Sequence, residues 1–230
     1  MSQPSNDTPR FPNHVPLVVI VSGPAGAGKT SLVNSLLTGS QHCVRAITST
    51  TRAPRRGEIN GVDYHFLSPE EFQRSLKAGD FIENASVYGQ SYGMPKQNIS
   101  VAFADEKDLL INIDVQGAST IRKRAKRLKL KDLGYEKAGE ASLSEILITV
   151  FLMPVSVSQL QERLKKRGTD APETIQQRLA AVPKEIQRWT EYDYVIRSGA
   201  LSDDLAKLEG IITAERMRAK RLRMFVESGV

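Results

Sequence analysis

The chain has 230 residues, 40% of them hydrophobic and 25% charged, with 32 Lys and Arg against 26 Asp and Glu for a formal net charge of +6. This is an ordinary globular composition for one domain with small subdomains or inserts, and no apolar run reaches the roughly eighteen residues of a membrane span. The single cysteine, Cys43, excludes an internal disulfide and reads as a small buried apolar residue, while His14, His42 and His65 are too scattered for a metal cluster.

Residues 1–14, rich in Pro, Ser and Asn, lack the basic and apolar regions of a signal peptide and read as a disordered leader on a cytoplasmic protein. Residues 17–22, LVVIVS, form a short apolar β-branched run, the pattern of a fully buried parallel strand. A glycine-rich turn follows, and then Leu32, Val33, Leu36 and Leu37 recur at helical spacing. Residues 69–77 predict a helix with Ser68 as N-cap and Glu70 and Glu71 in the first turn, where the helix dipole favours negative charge. DLLINID (108–114) and ILITVFLM (146–153) are two further strands, and DYVIR near residue 195 is a weaker fourth. Residues 157–166 and 173–181 predict two helices joined by RGTDAP. Between these elements, 122–145 mixes basic charge with Gly, Ser and Glu and reads as a helix end and an exposed insertion. Strands separated by helical patterns indicate an α/β fold. The positive charge fits an anionic partner; its two densest runs, 122–131 and 216–223, carry little aromatic interleaving, so solvated helix faces are expected there and nucleic-acid binding is not.

GPAGAGKT places Gly23, Pro24, Ala25, Gly26, Ala27, Gly28, Lys29 and Thr30 in the pattern G-x-x-x-x-G-K-[ST], directly after an apolar strand and before a helix. Such glycines let backbone N–H groups converge on phosphate oxygens, Lys29 reaches the β and γ phosphates, and Thr30 is a ligand for Mg²⁺; Ser31 joins the expected ATP contacts. The strand ending at Asp114 supplies a second acidic position that would support the same cation, and alternation puts Asn112 on its face. Arg52, Arg55 and Arg56 lie within five positions, a concentration suited to a second phosphate through paired charge-assisted hydrogen bonds.

The residues around those arginines, T-T-R-x-x-R-x-G-E-x-x-G-x-x-Y-x-F from Thr50 to Phe66, resemble the signature of the guanylate kinases, and the resemblance continues in order from residue 16 to about 195. It implies a P-loop NTPase fold: a three-layer parallel sheet with helices on both faces, a small mixed GMP-binding subdomain and a helical lid. The implied layout is a core of residues 15–47, 99–152 and 184–230, a GMP-binding module of 48–98, and a lid of 153–183. Arg52, Arg55, Tyr64 and Tyr92 would hold the GMP phosphate, Thr48 and Glu58 would lie near the acceptor nucleotide along with Asp114, and Glu83 would accept hydrogen bonds from guanine N1 and its amino group. QERLKKRGTDAPETIQQR resembles the lid, with Arg163, Arg167 and Arg178 reaching the donor phosphates.

The implied activity is ATP-dependent phosphorylation of GMP with Mg²⁺, in a monomer or a homo-oligomer. The pattern departs at three places. Relatives carry Ser or Thr, whose hydroxyl helps recognise guanine, where Met94 stands; an acidic residue is replaced by Asn112; and the usual Asn-Asp-Asp after the last strand gives way to Ser198 and Gly199. Two rivals follow: a related kinase acting on another phosphorylated acceptor such as a ribose bisphosphate, and a catalytically inactive binding module on the same scaffold.

Overall fold

The computed structural model describes residues 16–87, 89–167 and 172–225, so the expected leader and most of the RGTDAP link lie outside the described residues. The central strand β1 (Val18–Ser22) is buried along its whole length. It leads through the glycine loop into α1 (Lys29–Gly39), then β2 (Cys43–Arg45), β3 (Ser49–Thr50) and β4 (His65–Phe66). Helix α2 (Pro69–Ala78) precedes a hairpin of β5 (Phe81–Val87) and β6 (Gln90–Pro95), followed by α3 (Gln97–Ala104), β7 (Asp108–Asn112) and α4 (Val115–Ala125). The chain continues with β8 (Leu147–Met153), α5 (Val157–Arg167), α6 (Pro172–Ile186), β9 (Tyr194–Arg197), α7 (Leu201–Arg216) and α8 (Ala219–Phe225).

Two sheets result. Strands β2-β7-β1-β8-β9 form a parallel sheet, and β4-β3-β6-β5 form a smaller mixed one. Alternation along β1 divides the core: Val18 and Ile20 enter a cluster with Ile111, Ala118 and Phe151, while Val19 and Val21 enter another with Leu32, Leu36 and Leu208. Helices therefore cover both faces of the parallel sheet, the arrangement expected for continuous apolar strands. The strands open at their carboxyl ends onto the small sheet, and Val21 lies in register with Asn112 there. In such sheets ligands bind at this crevice.

Local signals hold well at α2. Ser68 accepts from the Glu71 amide at 3.1 Å, the Glu71 carboxylate accepts from the Ser68 amide at 2.7 Å, and Gly79 closes the helix at φ +73°.

Several expectations need correction. The strand expected over 108–114 stops at Asn112, because Asp114 is the N-cap of α4, its Oδ1 accepting from the Gly117 amide at 2.8 Å. The helix expected over 173–181 extends over Pro172–Ile186. The segment 122–145 begins as the expected end of a helix, but the insertion expected to be exposed instead threads three 3₁₀ turns that bury Leu130, Leu133, Ala138 and Leu143 in the core, with Tyr135 edge-on to Phe103 at 4.9 Å. Its apolar residues follow the spacing of tight turns, which matches neither the strand nor the helix period, so charged neighbours hide them in the sequence.

The basic runs are also less solvated than expected. Arg122 stacks over the Tyr192 ring at 4.5 Å and pairs with Glu191, and Arg124 donates to the Ile82 carbonyl at 2.8 Å. Arg216 pairs with the buried Asp108, and Arg221, only 5% exposed, bonds Glu215 and the Glu145 carbonyl at 2.6 Å each. Guanidinium groups can do this because their planar forks satisfy several acceptors at once.

Candidate active site

A cavity of about 590 Å³ lies between the carboxyl ends of the parallel strands and the small sheet. Its floor is the glycine loop. Gly23, Gly26 and Gly28 have φ of +141°, +83° and +103°, and a Cβ on Gly23 would stand 2.6 Å from the Leu152 carbonyl oxygen, so glycine is required there on two counts. Lys29 opens α1 and folds back, its Nζ donating to the Gly23 and Pro24 carbonyls at 2.8 and 2.9 Å. Gly28 offers α1 no capping side chain, which leaves that work to whatever the loop binds. Ala25, Thr30 and Ser31 also line the cavity; Ala27 is fully buried instead, and Pro24 contributes its carbonyl.

Thr30 Oγ1 accepts from Asn112 Nδ2 at 3.0 Å, and Asp114 lines the same wall. Among the described residues no group of three or more His, Cys, Asp or Glu side chains is placed to hold a metal. A hydroxyl and a carboxylate are hard oxygen donors, however, and Mg²⁺ typically takes only one or two protein ligands, completing its shell with water and substrate phosphates. The donor set fits that ion.

Across the cavity stands the Arg52 cluster. Arg52 gives Nη1 and Nη2 to the two oxygens of Glu58 at 2.8 and 2.9 Å and packs over the Tyr64 ring at 5.1 Å; Tyr64 meets Tyr92 edge-on at 6.4 Å. The bond to Glu58 is the main reason that the guanidinium is held firmly protonated, and reciprocally the Glu58 carboxyl lies below its usual range. Thr48, Arg52, Arg55, Tyr64 and Tyr92 all line the cavity. Glu58, expected near the acceptor nucleotide, does not; it also accepts from the Arg55 amide at 2.6 Å, so its carboxylate is committed to the two arginines.

Glu83 reaches the cavity from β5 and is 1% exposed, and its Oε2 has no hydrogen-bond partner among the described residues. Burial first, and repulsion by Asp114 second, push its carboxyl up to about 7 against the opposing charge of Arg124. Helix α4 can lie this close because Gly117 has no side chain: a Cβ there would meet Ile113 at 2.4 Å and Glu83 Oε2 at 3.5 Å. Met94, one of the departures, faces Glu83 across the β5–β6 pair and is fully buried. Of the other two, Asn112 lines the cavity, while Ser198 and Gly199 lie apart from it, with Gly199 donating to Asp204 at 3.0 Å.

Helices α5 and α6 supply the remaining wall. Arg163 Nη1 donates to the Gly26 and Ala27 carbonyls at 3.4 and 3.3 Å, and Arg178 lines the cavity; the Arg167 side chain lies outside the described residues. Sequence reasoning missed Glu185, which lines the cavity from α6. Burial raises its carboxyl, Lys29 and Arg178 act against that, and Asp114 adds to it. The signal was present, since Glu185 stands seven residues after Arg178 and shares its helix face.

A sequence model of the guanylate kinase family matches residues 16–129 and 139–215. The chain belongs to the guanylate kinase family. Curated guanylate kinases agree along nearly the whole length: that of Clostridium perfringens strain SM101 is 35% identical over 211 residues, covering 92% of this chain and 89% of its own, and that of Maricaulis maris is 38% identical over 207 residues, covering 90% and 86%. A crystal structure of guanylate kinase from Anaplasma phagocytophilum superposes with a TM-score of 0.69 at 28% identity, covering 93% of this chain and 92% of that one. In this guanylate kinase family member, the unmatched stretch 130–138 is the part of the expected insertion that buries Leu130, Leu133 and Ala138.

Proposed function

We propose that the protein transfers the γ-phosphoryl group of ATP to the phosphate of GMP or dGMP, releasing ADP and GDP or dGDP. The observation that carries this reading is a single cavity with a glycine loop and Lys29 at one end and the Arg52 cluster with the buried Glu83 at the other. Two anion sites facing each other suit transfer between two phosphates, and a carboxylate at the far end suits the adjacent N1 and amino donors of guanine.

In this reading the loop amides and Lys29 hold the β and γ phosphates, with Arg163, Arg167 and Arg178 neutralising charge on that side. Arg52 and Arg55 hold the GMP phosphate, supported by Tyr64, Tyr92 and Thr48, and Glu58 fixes the direction of Arg52. A phosphate oxygen of GMP attacks the γ phosphorus, the bond from that phosphorus to the β–γ bridging oxygen breaks, and the electron pair leaves on ADP. The nucleophile is already anionic, so no protein base is required; alignment and charge neutralisation remain the protein's part. Thr30 and Asp114 would hold Mg²⁺, which when bound would neutralise charge on the transferring phosphate. Closure of α5 and α6 over the loop would exclude water, which otherwise competes as acceptor.

The buried, unpartnered Glu83 oxygen favours a base at this position over a ribose bisphosphate, and the intact Lys29 and Thr30 favour catalysis over a binding role. No helix among the described residues is long and apolar enough to cross a membrane, and the substrates of such a reaction support a cytoplasmic location. Release of ADP from MgATP with GMP, AMP, CMP, UMP and ribose bisphosphate in parallel tests the reading, with Lys29→Ala as control. Turnover with GMP that disappears in the control supports it; silence with GMP from folded protein that binds ATP defeats it.

A further inference from the structure

Of the three carboxylates lining the cavity, Glu83 alone is almost wholly enclosed, and Oε2 stands without a partner among the described residues. In the β5–β6 register the residue opposite Glu83 is Met94, 0% exposed. Opposed residues of an antiparallel pair share a face of the sheet with Cβ atoms about 5 Å apart. The side chain paired with Glu83 across the two strands, just past the irregularity at Phe81–Glu83, is therefore a thioether of the core, which has no proton to donate. The charged groups that act on Glu83 are Asp114, the N-cap of α4, and Arg124 of α4, with Tyr92 of β6 on the same cavity wall; of the other basic residues of α4, Arg122 is turned to Tyr192 and Glu191 and Lys123 does not line the cavity. Arg124 already commits Nη1 to the Ile82 carbonyl, and Gly117 brings α4 close without a side chain.

We propose that Met94 is a specificity-determining residue of the acceptor site: by offering Glu83 no hydrogen bond, it leaves the choice between guanine and adenine to the charge of that one carboxyl group. As a carboxylate, Glu83 presents two acceptors and matches the N1–H and amino donors of guanine. As a neutral acid it presents one donor and one acceptor, which matches adenine N1 and its 6-amino group and costs guanine one bond. Burial beside an apolar partner and the nearby Asp114 disfavour the anion, so both forms are populated near neutrality. A hydroxyl at position 94 would donate to the carboxylate and favour the anion. The inference rests on the reading of the acceptor as GMP.

The experiment measures equilibrium binding of GMP and AMP to the full chain, without ATP or Mg²⁺, from about pH 5.5 to about 8.5, a range that brackets the raised carboxyl. The affinity ratio is the readout, because the nucleotide phosphate titrates near pH 6 in both ligands alike and cancels. Wild-type preference for GMP is expected to fall by up to about tenfold per pH unit on the acid side. Met94→Ser and Met94→Ala remove nearly the same volume, but only serine adds a donor; the midpoint of Met94→Ser is expected about one pH unit below that of Met94→Ala. Glu83→Gln, with one acceptor and one donor fixed, should show a low ratio independent of pH even if both Met94 variants fold poorly. A wild-type ratio independent of pH, or coincident profiles for serine and alanine, overturns the proposal. Absence of GMP phosphorylation by the wild type at every pH would instead defeat the functional reading beneath it.

Discussion

Glu58 grips the Arg52 guanidinium at both ends, Nη1 donating to Oε2 at 2.8 Å and Nη2 to Oε1 at 2.9 Å, and so decides where the charge of Arg52 points. Tyr64 and Phe66 support the same group from one side, at 5.1 and 5.6 Å from their ring centres. Glu58→Ala keeps the arginine but releases its direction. A charge-assisted bond contributes about 1.5–3 kcal/mol, so KM for GMP should rise on the order of tenfold or more while KM for ATP stays unchanged. Steady-state kinetics varying each nucleotide in turn checks this, and an equal rise in both would mean that Glu58 supports the fold as a whole.

Lys29 is the one charged side chain of the glycine loop, and in the proposed function it holds the donor phosphates. Lys29→Ala should lower kcat by at least about 10²–10³, the scale seen when a preorganised donor is removed from developing charge. Its bonds in the structure run to two loop carbonyls at 2.8 and 2.9 Å, so the thermal unfolding midpoint should move little. Kinetics and a melting curve on the same sample separate the two effects.

Arg221→Met should be among the most destabilising changes in the chain, because it takes from Glu215, which is 3% exposed, its two bonds from the buried guanidinium, at 3.0 and 2.6 Å, and leaves it only Tyr194 and the more exposed Arg218. Breaking a buried pair from one side costs about 3–5 kcal/mol, read as a lower urea midpoint. Burial alone would raise the Glu215 carboxyl; the bonds from Tyr194 and Arg221 outweigh it and hold that group below its ordinary range. Because the native value is depressed, this stabilisation is complete above the unfolded value of about 4.3 and is lost as pH falls through the native one. Glu215→Gln should therefore flatten the acid side of the stability profile measured by urea unfolding at successive pH values.

Leu130 and Leu143 are fully buried although they lie in a segment dense with charge. Leu130→Ala or Leu143→Ala should each cost about 2–5 kcal/mol, whereas Lys137→Ala, with 79% of its side chain exposed, should be neutral within about 0.5 kcal/mol. Urea denaturation of the three variants compares them directly; equal midpoints would mean that the segment does not share the core.

The glycine loop, the capping box at Ser68 and the strand cores at 17–22 and 146–153 were legible in the chain because each depends on residues a few positions apart. A loop that turns through positive φ needs glycine wherever it is folded, and a helix start needs its cap within one turn. The arginines at 52 and 55 were legible as a charged turn, but charge alone fits a solvated surface equally, and it is the fold that sets both on the cavity wall.

What only the tertiary structure decided were pairings between distant segments. Glu58 stands six residues from Arg52, yet whether it faced nucleotide or arginine depended on how the turn between them folded. Arg163 bonds the glycine loop and Glu185 lines the cavity only because α5 and α6 return over it, and Arg221 enters the core only because Glu215 and the Glu145 carbonyl await it there. Glu83 and Met94 are ordinary residues in the sequence; their joint effect arises from strand register and from burial, which removes water from a carboxylate and lets distant neighbours set its charge. Local geometry acts through bonds along the chain and can be read from spacing, whereas packing and desolvation act through space and exist only once the chain has folded.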